Sequence, residues 1–151
     1  VIRDSCRWPP AGTRGVGFSR VNLFGKYFDE YIEEAQAPFL VSQIESIKGV
    51  NNLDKILQVD GLDAIIVGPY DLSASMGITG NFDHKDFVNI MHRIINLSTK
   101  YNVPCGDHII QPDPKIIEKR IKEGYRFIAY SADAIILNNF AKCPNIKKTI
   151  K

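Results

Sequence analysis

Four short runs of apolar and β-branched residues constrain the fold of this chain most, because each is followed by a segment with helical periodicity. The runs cover residues 39–44, 63–67, 103–110 and 126–130. Continuous apolar runs of this length are typical of parallel strands that are buried on both faces. The segment 87–97 that follows the second run has its apolar residues three or four positions apart, which indicates a helix.

Residues at the ends of the helical segments agree with this pattern. Asp83 stands at the N-cap position expected before 87–97, and Asp113 followed by Pro114 supplies a cap and a proline at the first helical position. Gly124 stands where the third helix should stop. Shorter helices are predicted over 29–36, before the first strand, and over 134–140.

Alternation of strand and helix predicts right-handed crossovers and a parallel sheet. No linker rich in glycine and serine divides the chain, so we predict one α/β unit of four βα repeats. A doubly wound sheet would have this pattern. Half of an eightfold barrel would have it too, since a complete barrel takes about 250 residues.

Composition narrows the classes of protein further. The chain has 151 residues, of which 44% are hydrophobic and 24% are charged, and these values are ordinary for a globular domain. The net charge is only +2 and the basic residues are spread out, so we expect no nucleic-acid partner. The basic tail is expected to keep a terminus solvated; its lysines are Lys142, Lys147, Lys148 and Lys151.

Location can also be predicted from the sequence. No apolar stretch approaches the roughly 18 residues of a membrane span, and the first residues lack the order of a signal peptide. Cys6, Cys105 and Cys143 form an odd set without zinc spacing, which suits a reducing compartment. We therefore expect a cytoplasmic protein that does not bind membranes. The chain begins with Val1 rather than Met, so we expect it to be part of a longer protein.

Two acidic residues stand where strands of a parallel sheet should end. Glu45 closes the first run, and Asp71 follows the second run by four residues. Ligands meet the carboxyl ends of parallel strands, and neighbouring strands lie about 4.8 Å apart. Two ionised carboxylates so close repel each other, and a hard divalent cation such as Mg²⁺ or Mn²⁺ removes that conflict. The alternative is that each acid caps the helix that follows it.

Two segments rich in glycine are candidates for binding an anion. The stretch 68–77 starts with a glycine at a strand exit, where a ligand can approach the backbone and the following amides. A plain loop built from turn-forming residues fits that stretch about as well. The stretch 9–17 is similarly loop-like, but its spacing is not that of a P-loop or a dinucleotide fingerprint.

These segments, taken together and in this order, closely resemble the HpcH/HpaI aldolase family. Its members are metal-dependent (class II) pyruvate aldolases that act on 2-keto-3-deoxy acids and on 4-hydroxy-2-oxoheptanedioate. The resemblance extends from about residue 7 to about residue 141 and is strongest over 43–77. The matching segments are 7–17, 41–45, 51–53, 61–63 and 68–77.

The resemblance implies a (β/α)₈ TIM barrel, of which residues 1–151 would be the C-terminal four βα units, strands five to eight. It places Glu45 and Asp71 at the metal-ligand positions, for Mg²⁺, Mn²⁺ or Co²⁺. It implies substrate contacts from Gln43 and a backbone cradle for the pyruvate carboxylate. The cradle consists of Gly68, Pro69, Tyr70 and the Asp71 amide.

Tyr70 and His108 depart from the family pattern, and Arg14 matches it with two alternative roles. Tyr70 replaces the small residue usual there, which would narrow the pocket. Arg14 lies in the family's Pro-Pro-x-Gly-x-Arg-Gly loop, where it would contact substrate or pair with a structural partner. His108 stands in a strand more polar than the family's seventh, so it would face the pocket or serve as a hydrogen-bonded structural histidine.

The family's general-base histidine and substrate-binding arginine belong to the N-terminal half, which this chain lacks. We expect neither His84, beside a helix cap, nor His92, on the helix 87–97, to replace them. No catalytic residue is therefore assigned within this chain.

The leading hypothesis is a lyase that cleaves a 4-hydroxy-2-oxo acid to pyruvate and an aldehyde through a metal-stabilised enolate. One alternative is the same enolate chemistry on citrate-type or acyl-CoA substrates. Another is an inert fragment that associates with itself, because half a barrel exposes sheet edges. The resemblance also implies a homo-oligomer, because the barrels of this family assemble into hexamers.

Overall fold

A four-stranded parallel sheet forms the centre of the computed structural model, which describes residues 1–141. Its strands are β1 (Val41–Ile44), β2 (Ala64–Val67), β3 (Cys105–Ile109) and β4 (Phe127–Tyr130). Each strand lies within one of the four predicted runs, so those predictions are confirmed. The strand order is β1-β2-β3-β4, and every neighbouring pair is parallel. A doubly wound sheet reverses its strand order at a switch point. The described strands show no such reversal.

Helices connect the strands in the predicted order. The segment before β1 contains α1 (Ile2–Cys6), a 3₁₀ helix over Arg20–Gly25, and α2 (Phe28–Glu34). The later helices are α3 (Ile47–Asn51), α4 (Leu53–Ile56), α5 (Pro69–Ser75), α6 (Lys85–Lys100), α7 (Pro114–Glu123) and α8 (Asp133–Phe140). The interpretation of residues 68–77 as a plain loop is wrong, because α5 begins directly after Gly68.

The helix ends test the predicted capping residues. The Asp113 carboxylate accepts a hydrogen bond from the Lys115 amide at the start of α7. Gly124 ends that helix with a left-handed φ of 106°, a conformation that glycine adopts without strain. The prediction for Asp83 is wrong. His84 caps α6 instead, because its Nδ1 accepts a hydrogen bond from the Asp86 amide. The carboxylate of a capping aspartate would otherwise accept such a bond.

One face of the sheet is covered by helices. Ile44, Ile65 and Cys105 point to this face and pack in one core with Leu53 of α4 and Ile94 of α6. Because successive strand residues point to opposite faces, the residues between them point the other way. We call that side the second face of the sheet, and it carries Gln43, Ile66, Gly106, His108 and Phe127.

A smaller aromatic cluster orders the residues that precede the sheet. The Trp8 ring is 4% exposed and lies 5.4 Å from the Phe28 ring and 5.2 Å from the Tyr31 ring, centroid to centroid. Within the segment 9–17, Arg14 is held against α2 by a 2.7 Å hydrogen bond from its Nη2 to the Tyr31 hydroxyl.

Three predictions from composition can be compared with the described residues. None of the helices described for residues 1–141 combines the length and the apolar composition that a membrane-spanning helix needs. Cys6 and Cys105 are free thiols. Cys143 and the lysines of the basic tail lie outside the described residues.

Candidate functional site

Strand register brings the two predicted acidic positions to one edge of the sheet. Ile44 pairs with Val67, so Glu45 and Gly68 are the next residues along two neighbouring strands. The Gly68 amide donates a 3.1 Å hydrogen bond to the Ile44 carbonyl, which extends the pairing beyond the strands. Asp71 lies in the first turn of α5, which begins directly after Gly68. Both acidic residues therefore stand at the carboxyl ends of adjacent strands, with exposed side chains.

Gln43 orients the Glu45 carboxylate. Its Nε2 donates a 2.7 Å hydrogen bond to Glu45 Oε2, and both side chains stand on the second face. A Cβ atom at Gly68 would lie 2.9 Å from Gln43 Nε2 and 3.3 Å from Glu45 Oε2. Only glycine leaves these two side chains their present positions.

A cavity of about 150 Å³ collects most of the predicted site residues. Gln43, Gly68, Pro69, Tyr70 and Asp71 all line it, together with Ile66, Val67, His108 and Ile110. Glu45 reaches this group through its hydrogen bond to Gln43. Two separate segments of the sequence, residue 43 and residues 68–71, thus border one space.

The interpretation of both acids as helix caps is wrong. Ser46 caps α3, because its Oγ accepts a 3.2 Å hydrogen bond from the Gly49 amide. Asp71 lies inside the first turn of α5, and no side chain accepts the cap hydrogen bond there. Neither Glu45 nor Asp71 has an ion-pair partner in the described part of the chain. Both carboxylates are thus available to a ligand.

The donor set suits a hard divalent cation. Exposed carboxylate oxygens are the ligands that Mg²⁺ and Mn²⁺ prefer. Across residues 1–141 there is no group of three or more histidine, cysteine, aspartate and glutamate side chains that could hold a metal. Two carboxylates alone would leave most coordination positions for water or substrate, which is the arrangement typical of Mg²⁺.

Tyr70 separates this cavity from a larger one of about 370 Å³ between β3, α6 and α7. Its ring is 53% exposed and packs edge-to-face on Phe82, with centroids 5.0 Å apart. Pro69, Tyr70, His108 and Ile110 line both cavities. The Tyr70 side chain therefore borders the small cavity, and the narrowing of a substrate pocket by this residue stays a prediction.

The structure does not bring Arg14 to this cavity. Its Nη2 donates a 2.7 Å hydrogen bond to the Tyr31 hydroxyl, and its guanidinium carbon lies 5.6 Å from the centre of the Trp8 ring. Neither cavity has Arg14 among its lining residues. The placement corresponds to the structural alternative, and the substrate-binding role stays a prediction.

His108 combines the two roles that the sequence left open. It lines the small cavity, and its Nε2 lies 3.2 Å from the carbonyl oxygen of Ser131, the residue that follows β4. His84 is instead engaged at the amino end of α6. His92 is exposed on the same helix and borders only the larger cavity.

Sequence reasoning missed a charged cluster on the helix-covered side of β3. Asp107 is 3% exposed, and its Oδ2 lies 2.7 Å from Nε of Arg120. That contact is an ion pair without good hydrogen-bond geometry, because Arg120 Nε has no hydrogen-bond acceptor in the described residues. Arg120 Nη1 also donates to Glu123 Oε2 at 2.7 Å. The available signal was an aspartate inside a predicted strand, at a position that points to the same face as the apolar Cys105 and Ile109.

The surroundings of this cluster are strongly desolvated. Burial raises the pKa of the Cys105 thiol to about 12, and the nearby Asp107 charge adds to the effect. The pKa of Tyr125 is raised for the same two reasons, in the same order. The ion pair joins α7 to β3, so its geometry indicates a structural role.

Ser131 was also missed. It adopts a left-handed φ of 61°, which is uncommon for a residue other than glycine, asparagine or aspartate. Its Oγ is buried and finds no hydrogen-bond partner within residues 1–141. The rule that selected Glu45, applied to the end of the fourth strand, would have found Ser131.

Comparison with known proteins adds independent evidence. The family model for HpcH/HpaI aldolase/citrate lyase matches residues 1–139. The chain belongs to the HpcH/HpaI aldolase/citrate lyase family. A 5-keto-4-deoxy-D-glucarate aldolase from Escherichia coli (strain K12 / DH10B) is 36% identical over 130 residues, which are 85% of this chain and 50% of that protein.

Solved structures of the same family agree. An HpcH/HpaI aldolase/citrate lyase family protein from Burkholderia cenocepacia J2315 is 33% identical, with a TM-score of 0.74 over 89% of this chain and 53% of its own. An HpcH/HpaI aldolase from Desulfitobacterium hafniense DCB-2 is 27% identical, with a TM-score of 0.72 over 91% of this chain and 54% of its own. The chain thus spans about half the length of the relatives that it matches.

Proposed function

We propose that this HpcH/HpaI family chain is part of a metal-dependent lyase that cleaves a 4-hydroxy-2-oxo acid to pyruvate and an aldehyde. The observation that carries the proposal is the convergence of Glu45, Gly68 and Asp71 at the ends of two adjacent strands. The likeness to a 5-keto-4-deoxy-D-glucarate aldolase supports an aldol cleavage.

Glu45 and Asp71 would hold the cation, which we expect to be Mg²⁺ or Mn²⁺, with Co²⁺ as a further candidate. When bound, such a cation supplies Lewis-acid stabilisation of the enolate charge that develops as the carbon–carbon bond breaks. Gln43 keeps the Glu45 carboxylate in place through its 2.7 Å hydrogen bond. No lysine has to form a Schiff base in this reaction.

The backbone after β2 would receive the carboxylate of the 2-oxo acid. Gly68 carries no side chain, so substrate can approach the chain where α5 begins. The amides of Tyr70 and Asp71 lie in the first turn of that helix, where amide groups lack partners within the helix. Pro69 has no amide hydrogen and so would contribute shape rather than a donor.

We also propose that the four βα units form strands five to eight of a (β/α)₈ barrel that assembles into a homo-oligomer. The strand order, which follows the chain without reversal, supports this arrangement. The structural match to about half of the B. cenocepacia protein supports it further.

Substitution of the two acids tests the metal site directly. We expect Glu45→Gln and Asp71→Asn each to weaken Mn²⁺ binding by at least about tenfold, because each removes one anionic ligand. Titration of Mn²⁺, followed by its electron paramagnetic resonance signal, measures this on the 151-residue chain. The same substitutions in the full-length protein should abolish metal-stimulated pyruvate release from a 4-hydroxy-2-oxo acid.

Glu30→Gln is the matched control, since Glu30 is exposed on α2 and outside both cavities. It should leave Mn²⁺ binding and pyruvate release unchanged. Retained Mn²⁺ affinity and activity in both Glu45→Gln and Asp71→Asn would refute the assigned roles.

A second candidate function keeps the site and changes the substrate to a citrate-type or acyl-CoA compound. The family itself includes citrate lyases, and the larger cavity beside Tyr70 offers room for a longer substrate. Assays with oxaloacetate and with thioesters, alongside 4-hydroxy-2-oxo acids, separate the two candidates. Faster metal-dependent turnover of the thioester would favour the second.

A further inference from the structure

His108, which lines the small cavity, stands on the second strand over from the one that Glu45 follows. Ile66 pairs with Gln43 on one side and with Gly106 on the other. Each of these three residues is followed, two positions later, by a residue that points to the same face. Those residues are Glu45, Gly68 and His108, which therefore stand at one level of the sheet. With strands about 4.8 Å apart, the Cα atoms of Glu45 and His108 are separated by about 10 Å. The position between them is the glycine.

The hydrogen bond to Ser131 determines which nitrogen of His108 can accept. A carbonyl oxygen can only accept, so Nε2 carries the hydrogen in the 3.2 Å contact with the Ser131 carbonyl. A neutral imidazole that donates from Nε2 has its lone pair on Nδ1. Nδ1 is then the ring nitrogen that remains to accept a hydrogen bond from a ligand.

The strained end of β4 holds this arrangement. Ser131 has a positive φ, and its amide donates a 2.7 Å hydrogen bond to the Ile109 carbonyl. These two features fix the direction of the Ser131 carbonyl toward β3. Backbone strain of this kind persists where the surrounding structure maintains it, and it is frequent at ligand sites.

We propose that His108 is a specificity-determining residue that accepts a hydrogen bond from a hydroxyl group on the aldehyde-derived part of the substrate. The inference rests on the proposed aldol cleavage. The pyruvate part of a 4-hydroxy-2-oxo acid offers no hydrogen-bond donor, whereas the aldehyde-derived part carries the C4 hydroxyl and any further hydroxyls. An acceptor at Nδ1 therefore recognises the aldehyde-derived part, and His108 favours hydroxylated substrates.

Binding of two acids that cannot be cleaved tests the inference without turnover. 2,4-Dihydroxypentanoate and 2-hydroxypentanoate differ only in the C4 hydroxyl, and neither has the keto group that aldol cleavage needs. With Mg²⁺ present, calorimetry on the full-length protein should give about tenfold tighter binding of the dihydroxy acid, the effect of one well-placed hydrogen bond. His108→Leu should reduce that ratio to about one while leaving the affinity for 2-hydroxypentanoate unchanged.

Two further variants separate recognition from a structural effect. An asparagine side chain places its Oδ1 near the position of the histidine Nδ1, so His108→Asn should keep most of the preference for the dihydroxy acid. Gln places its amide near Nε2 and keeps only the Ser131 contact, so His108→Gln should behave like His108→Leu. His84→Leu is the matched control and should keep the full ratio. Thermal melting checks that each variant is folded.

The outcomes separate this inference from the proposed function. If the wild-type chain binds both acids equally in the presence of Mg²⁺, the site stands and the role of His108 is wrong. An unchanged ratio in folded His108→Leu overturns it as well. If the wild-type chain binds neither acid, the proposed site itself fails, and the inference fails with it.

Discussion

Gly68 is the residue on which the geometry of the site depends most directly. Its φ of −97° is open to any residue, so the reason for glycine is space and not backbone strain. A Cβ atom there would meet Gln43 Nε2 at 2.9 Å and Glu45 Cβ at 3.1 Å. The side chain that positions Glu45 would have to move.

We expect Gly68→Ala to weaken Mn²⁺ binding several-fold while changing the melting temperature little, because the displaced side chains are exposed. Gly49→Ala is the control. Gly49 lies in α3, the nearest atom to an added Cβ is Ser46 Oγ at 3.5 Å, and alanine favours a helix. Titration with Mn²⁺ and thermal melting of both variants measure the difference. Equal Mn²⁺ affinity in Gly68→Ala and the wild type would contradict this account.

The buried Cys105 thiol provides a second test at a single residue, through the effect of burial on its pKa. Its thiol has a pKa raised from 9.0 to about 12, so the folded state holds the proton more tightly than the unfolded state does. The free energy of unfolding should therefore be unaffected below about pH 9 and should fall as pH rises from 9 toward 12. Cys105→Ala should remove this part of the alkaline loss.

Urea unfolding of the wild type and of Cys105→Ala at pH 8 and at pH 10.5 measures that difference. Cys6→Ala is the control, since Cys6 is only half-buried. If Cys105→Ala and Cys6→Ala have the same pH dependence, the thiol of Cys105 does not titrate as described.

Among the secondary-structure elements, β3 is the strand whose adjacent residues contribute to both faces of the sheet. Asp107 points toward the helices and pairs with Arg120 of α7, while His108 points toward the small cavity. The His108 amide also donates to Asp107 Oδ1 at 2.9 Å. The ion pair thus fixes the strand that presents the histidine.

We expect Arg120→Leu to lower the free energy of unfolding by about 3 kcal/mol, because it leaves the Asp107 carboxylate buried without its cation. Lys122→Leu changes an exposed residue of the same helix and should have little effect. Urea unfolding at pH 7 measures both. Similar free energies for the two variants would show that the ion pair does not stabilise the fold.

Within residues 1–141, apolar surface on α8 and on the second face of the sheet has no covering layer. Helix α8 has no buried residue, and its Leu137 and Phe140 are 67% and 76% exposed. On the second face of the sheet, Phe127 is 37% exposed. Parallel sheets are normally covered on both faces, and exposed apolar patches of this kind favour association.

We therefore expect the 151-residue chain to associate, with α8 contributing to the contact. Leu137→Lys combined with Phe140→Lys should reduce association, because charged side chains cannot be buried in such a contact at low cost. Asn138→Lys combined with Asn139→Lys adds the same charge to exposed polar positions of the helix. Sedimentation velocity at two concentrations measures the effect. A wild-type chain that sediments as a monomer would contradict the prediction.

If this association occurs without any metal-dependent activity in the full-length protein, the third hypothesis, an inert chain that associates with itself, is favoured. Sedimentation of the 151-residue chain and pyruvate release by the full-length protein together distinguish the two outcomes. Activity that is lost in Glu45→Gln would argue for the enzyme.

Local sequence patterns were enough to predict the four strands, the long helices and the family. Apolar runs, helical spacing and the short motifs that match the family are all local properties of the chain. Asp113 and Gly124 were predicted correctly because a cap depends on a few neighbouring residues. Asp83 failed as a cap because His84, one residue later, offers an acceptor of its own.

Which side chains contact one another could not be predicted from local patterns, because these contacts depend on the assembled fold. The pairing of Gln43 with Glu45, the space above Gly68 and the contact of His108 with Ser131 join residues whose geometry depends on strand register and backbone angles. Arg14 pairs with Tyr31 because the fold packs α2 against the preceding segment, which a local motif cannot specify. Strand-end residues can be identified one at a time from a sequence. The hydrogen bonds between them depend on contacts that form only when the sheet assembles.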